Sequence, residues 1–485
     1  MNNEIRECQE GYTRDTTTSN GILHTVIIGG GPAGCGLLTN FALNGQYDDM
    51  LNRGVAVIES SPRLGGGSLN KYNQLRTNSH GSAFFDAFEG LGLESHDSTL
   101  NRNDVIPMSD LHLLQDTLGS WHQANLSRHP FSRALTSASV TDVKERTDGT
   151  YCIRYTQNGA QDTFSELVAS NVCICTGGKP LTPSWLLEER NIHIEEANEY
   201  FQGTRSPDPE AKKIAIVGFS HSAFSLGHLW HTKSPNTNIT FIRRTNRTQT
   251  QPFIYFPTTE EANAAEYPFA KADVCLETNR VHRFGGLRGD AREFALQTDS
   301  YNTIAVHELE AENYDHVIAA CGYEIRWIPI MDRYGKKLEP EYKQGGTKVD
   351  SKGRLFADHQ IYAFGLGAGL SPDEKIGGEP GCTRRSDGIW LYQYTVGSVI
   401  RASLQRGGPS QHECLGKFFN GVGENLSLEA RESEETIAQA KEKEVATLRC
   451  VTKESEFGFE KVAKMAQVVK HEKEDLVVLE MKMIL

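Results

Sequence analysis

The chain has 485 residues, 38% of them hydrophobic and 23% charged, too long for one simple core and ordinary for a globular protein of two or three domains. Its 50 basic and 63 acidic residues leave a net charge of −13, which excludes a general binder of nucleic acid or anionic membranes, since either needs a basic field. The first 21 residues are polar, so a flexible tail over 1–21 and a cytoplasmic setting are expected rather than a signal peptide or membrane anchor.

In chain order, ILHTVII begins a strand at Ile22 that ends in IIGGGPAGCG, and a helical pattern follows over Ala33–Leu43. A second strand, VAVIE (Val55–Glu59), completes a βαβ unit. Helical spacing over 104–125 sets Leu111, Leu114 and Leu118 on one side. The alternating runs VTDVKER and YCIRYTQ, split by the turn pair Asp148-Gly149, predict an antiparallel meander that leads into the apolar strand LVASNVCICTGG. The order then repeats. IAIVG (Ile214–Gly218) precedes a helix opening near Ser222, and ITFIRR (Ile239–Arg244) is the next strand. Strand-like runs EFALQT and TIAVHEL follow, and YDHVIAACGYE runs into Gly322. Beyond about Gln405 the chain is rich in Glu and Lys, and Phe459, Val462, Ala466 and Val469 form a helical stripe. This extension packs on the body, mediates a contact in a homo-oligomer or frays; the sequence leaves all three open.

Ten cysteines without a CxxC pair or metal-ligand clustering predict neither a disulfide framework nor a metal site. Cys173 and Cys175 alternate along a strand and read as small buried hydrophobes, while Cys35 and Cys321 beside the glycine-rich segments read as packing groups with a reactive thiol as the alternative.

The glycines carry the chemistry. Gly29, Gly31 and Gly34 form G-x-G-x-x-G between strand and helix: the first allows the sharp turn, the second admits a pyrophosphate, the third lets helix and strand close up. Pro32 suits the first helical turn, where a missing N–H costs nothing, and the helix N-terminus offers free N–H groups to phosphate. Glu59, ending the next strand, is placed to accept hydrogen bonds from a ribose hydroxyl. In the second unit Gly218 keeps the turn, while Ser220 and Ala223 stand in for the other glycines and Ser222 adds a hydroxyl. Where the first unit ends in Glu59, the second ends in Arg243 and Arg244, which suit a 2′-phosphate that a carboxylate would repel. NADPH rather than NADH is the expected second ligand, the alternative being that Arg243 and Arg244 are simply solvated. His221 reads either as a phosphate or nicotinamide contact or as packing at the helix start.

On GGGPAG, VGFSHSA, CICTGG and AACGYE, over roughly Ile22 to Ile400, the chain resembles the flavoproteins with two dinucleotide-binding domains. Within them it is similar to the class B flavin-dependent monooxygenases, and most to the lysine and ornithine N-hydroxylases. The resemblance implies an α/β fold of two Rossmann-like domains with three-stranded β-meanders, to which the residue pattern adds the helical C-terminal extension. The implied boundaries are 22–205 and 331–410 for the FAD-binding domain, 206–330 for the NADPH-binding domain and 411–485 for the extension. It implies FAD at Gly29, Gly31, Pro32, Ala33, Gly34 and Glu59, with NADPH at Gly218, Ser220, Ser222, Arg243 and Arg244. The strand ends add Gly177 and Gly322, and IYAFGLGAG (Ile361–Gly369) adds Gly365 and Gly367. IYAFGLGAG lacks the acid that disulfide reductases carry there. FQGTRSP starts like the Baeyer–Villiger motif at Phe201 and Gly203 but has Pro207 where that motif has histidine. QPFIYFP offers Tyr255 where the ornithine and lysine enzymes carry an asparagine.

The implied reaction is hydride transfer from NADPH to FAD, then oxygen transfer from a flavin C4a-hydroperoxide to a nucleophilic small molecule, an amine by this resemblance. A non-oxygenating NADPH oxidoreductase or oxidase, and a redox-sensing FAD-binding protein without turnover, are the alternatives. No catalytic side chain is identified. Asn78 and His80, in GGGSLNKYNQLRTNSHGSAFF, reach ring or substrate or else bond within their loop; Arg384, in EPGCTRRSDGIW, holds a substrate carboxylate or is structural.

Overall fold

The computed structural model describes residues 21–93, 102, 105–157, 163–188, 193–243, 254–256, 259–260, 274, 281–282, 289–343, 346–370, 388–404, 466–470 and 477–481. The chain divides into two compact units, Met1–Gln411 and His412–Leu485.

The first unit opens with β1 (Ile22–Ile28), α1 (Pro32–Leu43) and β2 (Val55–Ile58). α2 (Met108–Arg128) and β3 (Arg133–Leu135) follow, then the meander β4 (Ala138–Glu145), β5 (Tyr151–Gln157) and β6 (Phe164–Ile174). The short β7 (Gly178–Pro180) leaves this layer. A second layer contains β8 (Ile194–Glu196), α3 (Ala197–Phe201), β9 (Lys213–Val217), α4 (His221–Lys233) and β10 (Asn238–Arg243). It ends with α5 (Gly289–Leu296), β11 (Asn302–Ala305) and β12 (His316–Ala319). The chain returns through β13 (Tyr323–Ile325) to β14 (Ile330–Met331), β15 (Lys337–Leu338) and β16 (Ile361–Ala363), followed by α6 (Ile389–Gln393) and α7 (Thr395–Leu404).

The first sheet runs β15-β14-β4-β5-β6-β1-β2-β3, with β16 also on β6. β6 is long because it serves two structures. Its N-terminal half pairs antiparallel with β5, and its C-terminal half lies parallel between β1 and β16. Alternation sorts the parallel strands onto two faces. Ile27, Val57, Cys173 and Tyr362 meet α1, α6 and α7, while Val26, Ile58, Val172 and Ile361 meet the meander residues Tyr151 and Ile153. Both faces are covered, hence the near-continuous apolar runs.

The second sheet, β8-β12-β9-β10-β11, is wholly parallel. Ile214, Ile216 and Phe241 pack on Phe224 and Trp230 of α4, and Val217 and Val317 line the other face. The two crossovers run side by side, β7 antiparallel to β13, closed by Leu181 N–H to Gly322 O at 2.9 Å and Arg326 N–H to Gly177 O at 3.0 Å.

Three expectations change. The run EFALQT lies in and just after α5 instead of forming a strand, because the adjacent Phe294 and Ala295 are both buried, which one helix face permits and strand alternation does not. A second three-stranded meander has no counterpart among the described residues. In the second unit, β17 (Ala466–Lys470) pairs antiparallel with β18 (Val477–Met481), so Ala466 and Val469 stand on a strand rather than on the expected helix. The Val-Val pairs in both segments favour extended backbone. β8 and α3 also join the second layer, ahead of residue 206.

Candidate cofactor sites

The turn between β1 and α1 depends on glycine at Gly29 and Gly34. Gly29 has φ +102°, and a Cβ there would strike the carbonyl oxygen of Cys175 on the neighbouring strand. A Cβ on Gly34 would strike Gly29 O. Gly31 differs: its Cβ would meet only the Cα of Gly67, at 3.8 Å, so the backbone there is open to an incoming group. α1 begins at Pro32 with no side chain capping its first turn and no acid in it, leaving its N–H groups and positive dipole end to an anion. Glu59 is buried beside this turn; its Oε2 accepts Gly30 N–H at 2.7 Å and its Oε1 accepts the N–H and hydroxyl of Ser61, both at 2.7 Å.

The second turn repeats the backbone bonds of the first and differs at its third small residue, Ala223 in place of Gly34. Gly218 has φ +146°, and its Cβ would meet Ala320 O as that of Gly29 would meet Cys175 O. Gly29 N–H bonds Ile58 O at 2.8 Å, and Gly218 N–H bonds Ile242 O at 3.0 Å. Cys175 N–H bonds Ile28 O at 2.7 Å, and Ala320 N–H bonds Val217 O at 2.9 Å. Ser220 is the N-cap of α4, and Ala223 stands in the second turn where Gly34 stands in the first; a Cβ on Gly218 would lie 3.4 Å from the Cβ of Ala223. The register decides the equivalence that matters. Ile28 faces Ile58, and Val217 faces Ile242, so Arg243 occupies in the second layer the place of Glu59 in the first.

The family model for L-lysine 6-monooxygenase/L-ornithine 5-monooxygenase matches residues 116–269. The chain is 30% identical over 432 residues to the CMP-5′-(3-aminopropyl)phosphonate hydroxylase of Streptomyces rubellomurinus, covering 78% of this chain and 97% of that one. The chain belongs to the lysine/ornithine N-monooxygenase family. Among solved structures, the FAD-bound cadaverine monooxygenase of Erwinia amylovora superposes with a TM-score of 0.50 at 14% identity, over 79% of this chain and 94% of that one. The ornithine N-hydroxylase of Kutzneria sp. 744, determined with reduced FAD, NADP⁺ and L-ornithine, aligns at TM-score 0.44 and 14% identity over 79% of this chain and 99% of that one. Membership makes the protein a flavin-dependent monooxygenase, from a family that works with FAD and NADPH.

In this monooxygenase two further glycine segments converge on α1. Gly65, Gly66 and Gly67 lie between the α1 turn and α2. Gly65 N–H bonds Gly30 O at 2.8 Å, Gly66 N–H bonds Asp116 Oδ1 at 2.8 Å, and a Cβ on Gly66 would strike His112. A Cβ on Gly365, at φ +117°, would lie 3.2 Å from the Cβ of Ala33, and one on Gly367 would strike Ile325 N on β13. Gly177 (φ +72°) and Gly322 (φ +94°) each face open space. The structure thus gathers Gly29, Gly31, Pro32, Ala33, Gly34, Glu59 and Gly365 at one turn, and Gly218, Ser220, Ser222 and Arg243 at the other. Asn78 and His80 lie on the strand Arg76–His80, and Tyr255 on Ile254–Phe256; Arg244 and Arg384 lie outside the described residues.

The Cys35 thiol donates to Gly30 O at 3.1 Å, and burial pushes its pKa far up, so it stays a neutral packing group. Sequence reading missed Asp116 and His112, whose role depends on contacts about fifty residues away, and the second use of Glu59 as a brace for its own turn. Among the described residues no group of His, Cys, Asp and Glu is arranged to hold a metal, and no helix is long and apolar enough to cross a membrane.

Proposed function

We propose that this monooxygenase uses NADPH and O2 to hydroxylate the primary amine of a small aminoalkyl substrate, with FAD at the Gly29–Gly34 turn and NADPH at the Gly218–Ala223 turn. In the net reaction the amine, O2, NADPH and a proton give the N-hydroxylamine, water and NADP⁺. When bound, FAD supplies the oxygen activation. The chain's own contribution is to bind and orient. The N-terminus of α1, open over Gly31, suits a pyrophosphate, and while Ser60 and Ser61 occupy Glu59 Oε1, Oε2 keeps a lone pair for a ribose hydroxyl beside its bond from Gly30. Arg243 suits the extra phosphate that separates NADPH from NADH.

One observation carries the reading: twin turns matched in register that differ in having Glu59 at one and Arg243 at the other. It is supported by identity to a hydroxylase along 97% of that relative's length. That relative is named for an aminopropylphosphonate carried on a nucleotide, so aminoalkyl compounds bearing an acidic group are the first substrates to test here. The experiment is anaerobic reduction of the FAD-loaded protein by NADPH, followed by an oxygen pulse with 3-aminopropylphosphonate, ornithine or cadaverine. Flavin bleaching and an oxygen-dependent hydroxylamine product are expected. Bleaching followed by peroxide alone with every amine would overturn hydroxylation in favour of oxidase activity.

A further inference from the structure

Three residues far apart in sequence meet between the two turns. Asn198 Nδ2 donates to the Tyr72 hydroxyl at 3.3 Å, and the Tyr323 hydroxyl donates to Asn198 Oδ1 at 2.7 Å. Tyr72 follows the Gly65–Gly67 loop, which packs on the first turn of α1. Tyr323 opens β13, the crossover that leaves the second layer just after β12 and Ala320, whose carbonyl closes the second turn. Asn198 stands on α3, between them. The contact is not a lone bond. Gln74 N–H donates to Phe201 O at the end of α3 at 3.2 Å, Gly203 (φ +70°) lies against Asn73, and Tyr72 and Leu75 pack on the core of the second layer. All three polar side chains are only partly buried, so water could satisfy each separately; what their union fixes is relative position.

We propose that Asn198 is a positioning residue: its amide spans Tyr72 and Tyr323 and sets the distance between the first turn's loop and β13, the crossover that leaves the second turn. This inference rests on the two-cofactor reading, deepening it with the device that brings two nucleotides to a fixed separation. An asparagine suits the place because one amide both donates and accepts, which the two hydroxyls require in opposite senses. Among the described residues the side-chain hydrogen bonds of Asn198 go to Tyr72 and Tyr323, so it acts through these partners.

The test uses the full-length FAD-loaded protein and its Asn198→Ala, Tyr323→Phe and Asn198→Ala/Tyr323→Phe variants. Anaerobic mixing with NADPH should show the limiting rate of flavin reduction falling about tenfold in each single variant, as expected for a small misalignment. The double variant should be no slower than Asn198→Ala, because both changes cut one bridge. Apparent NADPH affinity, FAD content and reoxidation of dithionite-reduced enzyme by O2 should stay near wild type. Unchanged reduction in Asn198→Ala, or slowing matched by lost FAD, would overturn the proposal. Hydrogen exchange reads the bridge without any turnover. In Asn198→Ala the Gln74 amide should lose protection while amides of β1 and β9 keep theirs; unchanged protection at Gln74 overturns the proposal too. If wild type binds FAD and NADPH leaves it unreduced, the functional reading falls, and the exchange result still decides the bridge.

Discussion

A single hydrogen on the Cα of Gly34 is all its place allows, since a methyl would sit on the Gly29 carbonyl oxygen. The α1 turn would have to open to relieve it, moving the N–H groups a pyrophosphate needs. Gly34→Ala should therefore purify without flavin and lose about 1–3 kcal/mol of stability by urea titration, the usual cost of overpacking. A yellow variant with a wild-type midpoint would contradict the cradle. Arg243 makes the complementary case at the other turn. Losing one charged hydrogen-bonding partner of a phosphate costs about 1.5–3 kcal/mol, so Arg243→Gln should raise KM for NADPH about ten- to a hundredfold and leave KM for NADH nearly unchanged. Equal effects on both coenzymes would remove Arg243 from the 2′-phosphate. At this scale much was legible, because strand-glycine-helix-strand spacing alone places Glu59 and Arg243. What stayed hidden was the bracing of Glu59 by Gly30 and Ser61, which depends on a turn bringing an N–H to the buried carboxylate.

Elements add a constraint that single residues do not reveal. α2 carries two buried stripes: Leu111, Leu114 and Leu118 face Phe84 and Phe88, whereas Gly119 touches Leu64 and Gly65, and His122 meets α1. The leucine stripe is plain in the sequence. The second is not, since glycine and histidine give no periodic apolar signal; the same weakness let EFALQT pass for a strand. His122 is fully buried, with Nε2 2.9 Å from the Thr39 hydroxyl and Nδ1 2.8 Å from the Tyr47 hydroxyl. Burial drives its pKa from 6.5 down to about 3. Between those values the unfolded chain takes up a proton that the folded one refuses, so this contribution to stability is whole above pH 6.5 and is lost as pH falls toward 3. The loss should run at about 1.4 kcal/mol per pH unit. Urea midpoints of wild type and His122→Gln, taken at about pH 7.5 and pH 5.5, should differ in their pH response by roughly that amount. Parallel losses in the two proteins would show that the imidazole titrates normally.

On the scale of the molecule, a mixed-sheet layer and a parallel-sheet layer are joined by two crossovers that form a ladder with each other, β7 against β13, with Lys179 and Glu324 paired across it at 2.8 Å. The repeated order of elements announces two layers, but no sequence signal says that their connections pair, because residues 178 and 325 meet only once both sheets exist. Each crossover starts with a left-handed glycine in open surroundings, Gly177 after the first sheet and Gly322 after the second. Alanine at either should therefore cost about 1–2 kcal/mol of backbone strain with no clash to add to it. Any further loss must come from whatever approaches the open side. If Gly177 serves the first turn and Gly322 the second, the two substitutions will separate: Gly177→Ala should weaken FAD retention while sparing KM for NADPH, and Gly322→Ala should do the reverse. Spectrophotometric FAD titration and steady-state NADPH kinetics on both variants measure this. Identical behaviour of the two would mean that the crossovers act as one hinge and serve neither turn alone.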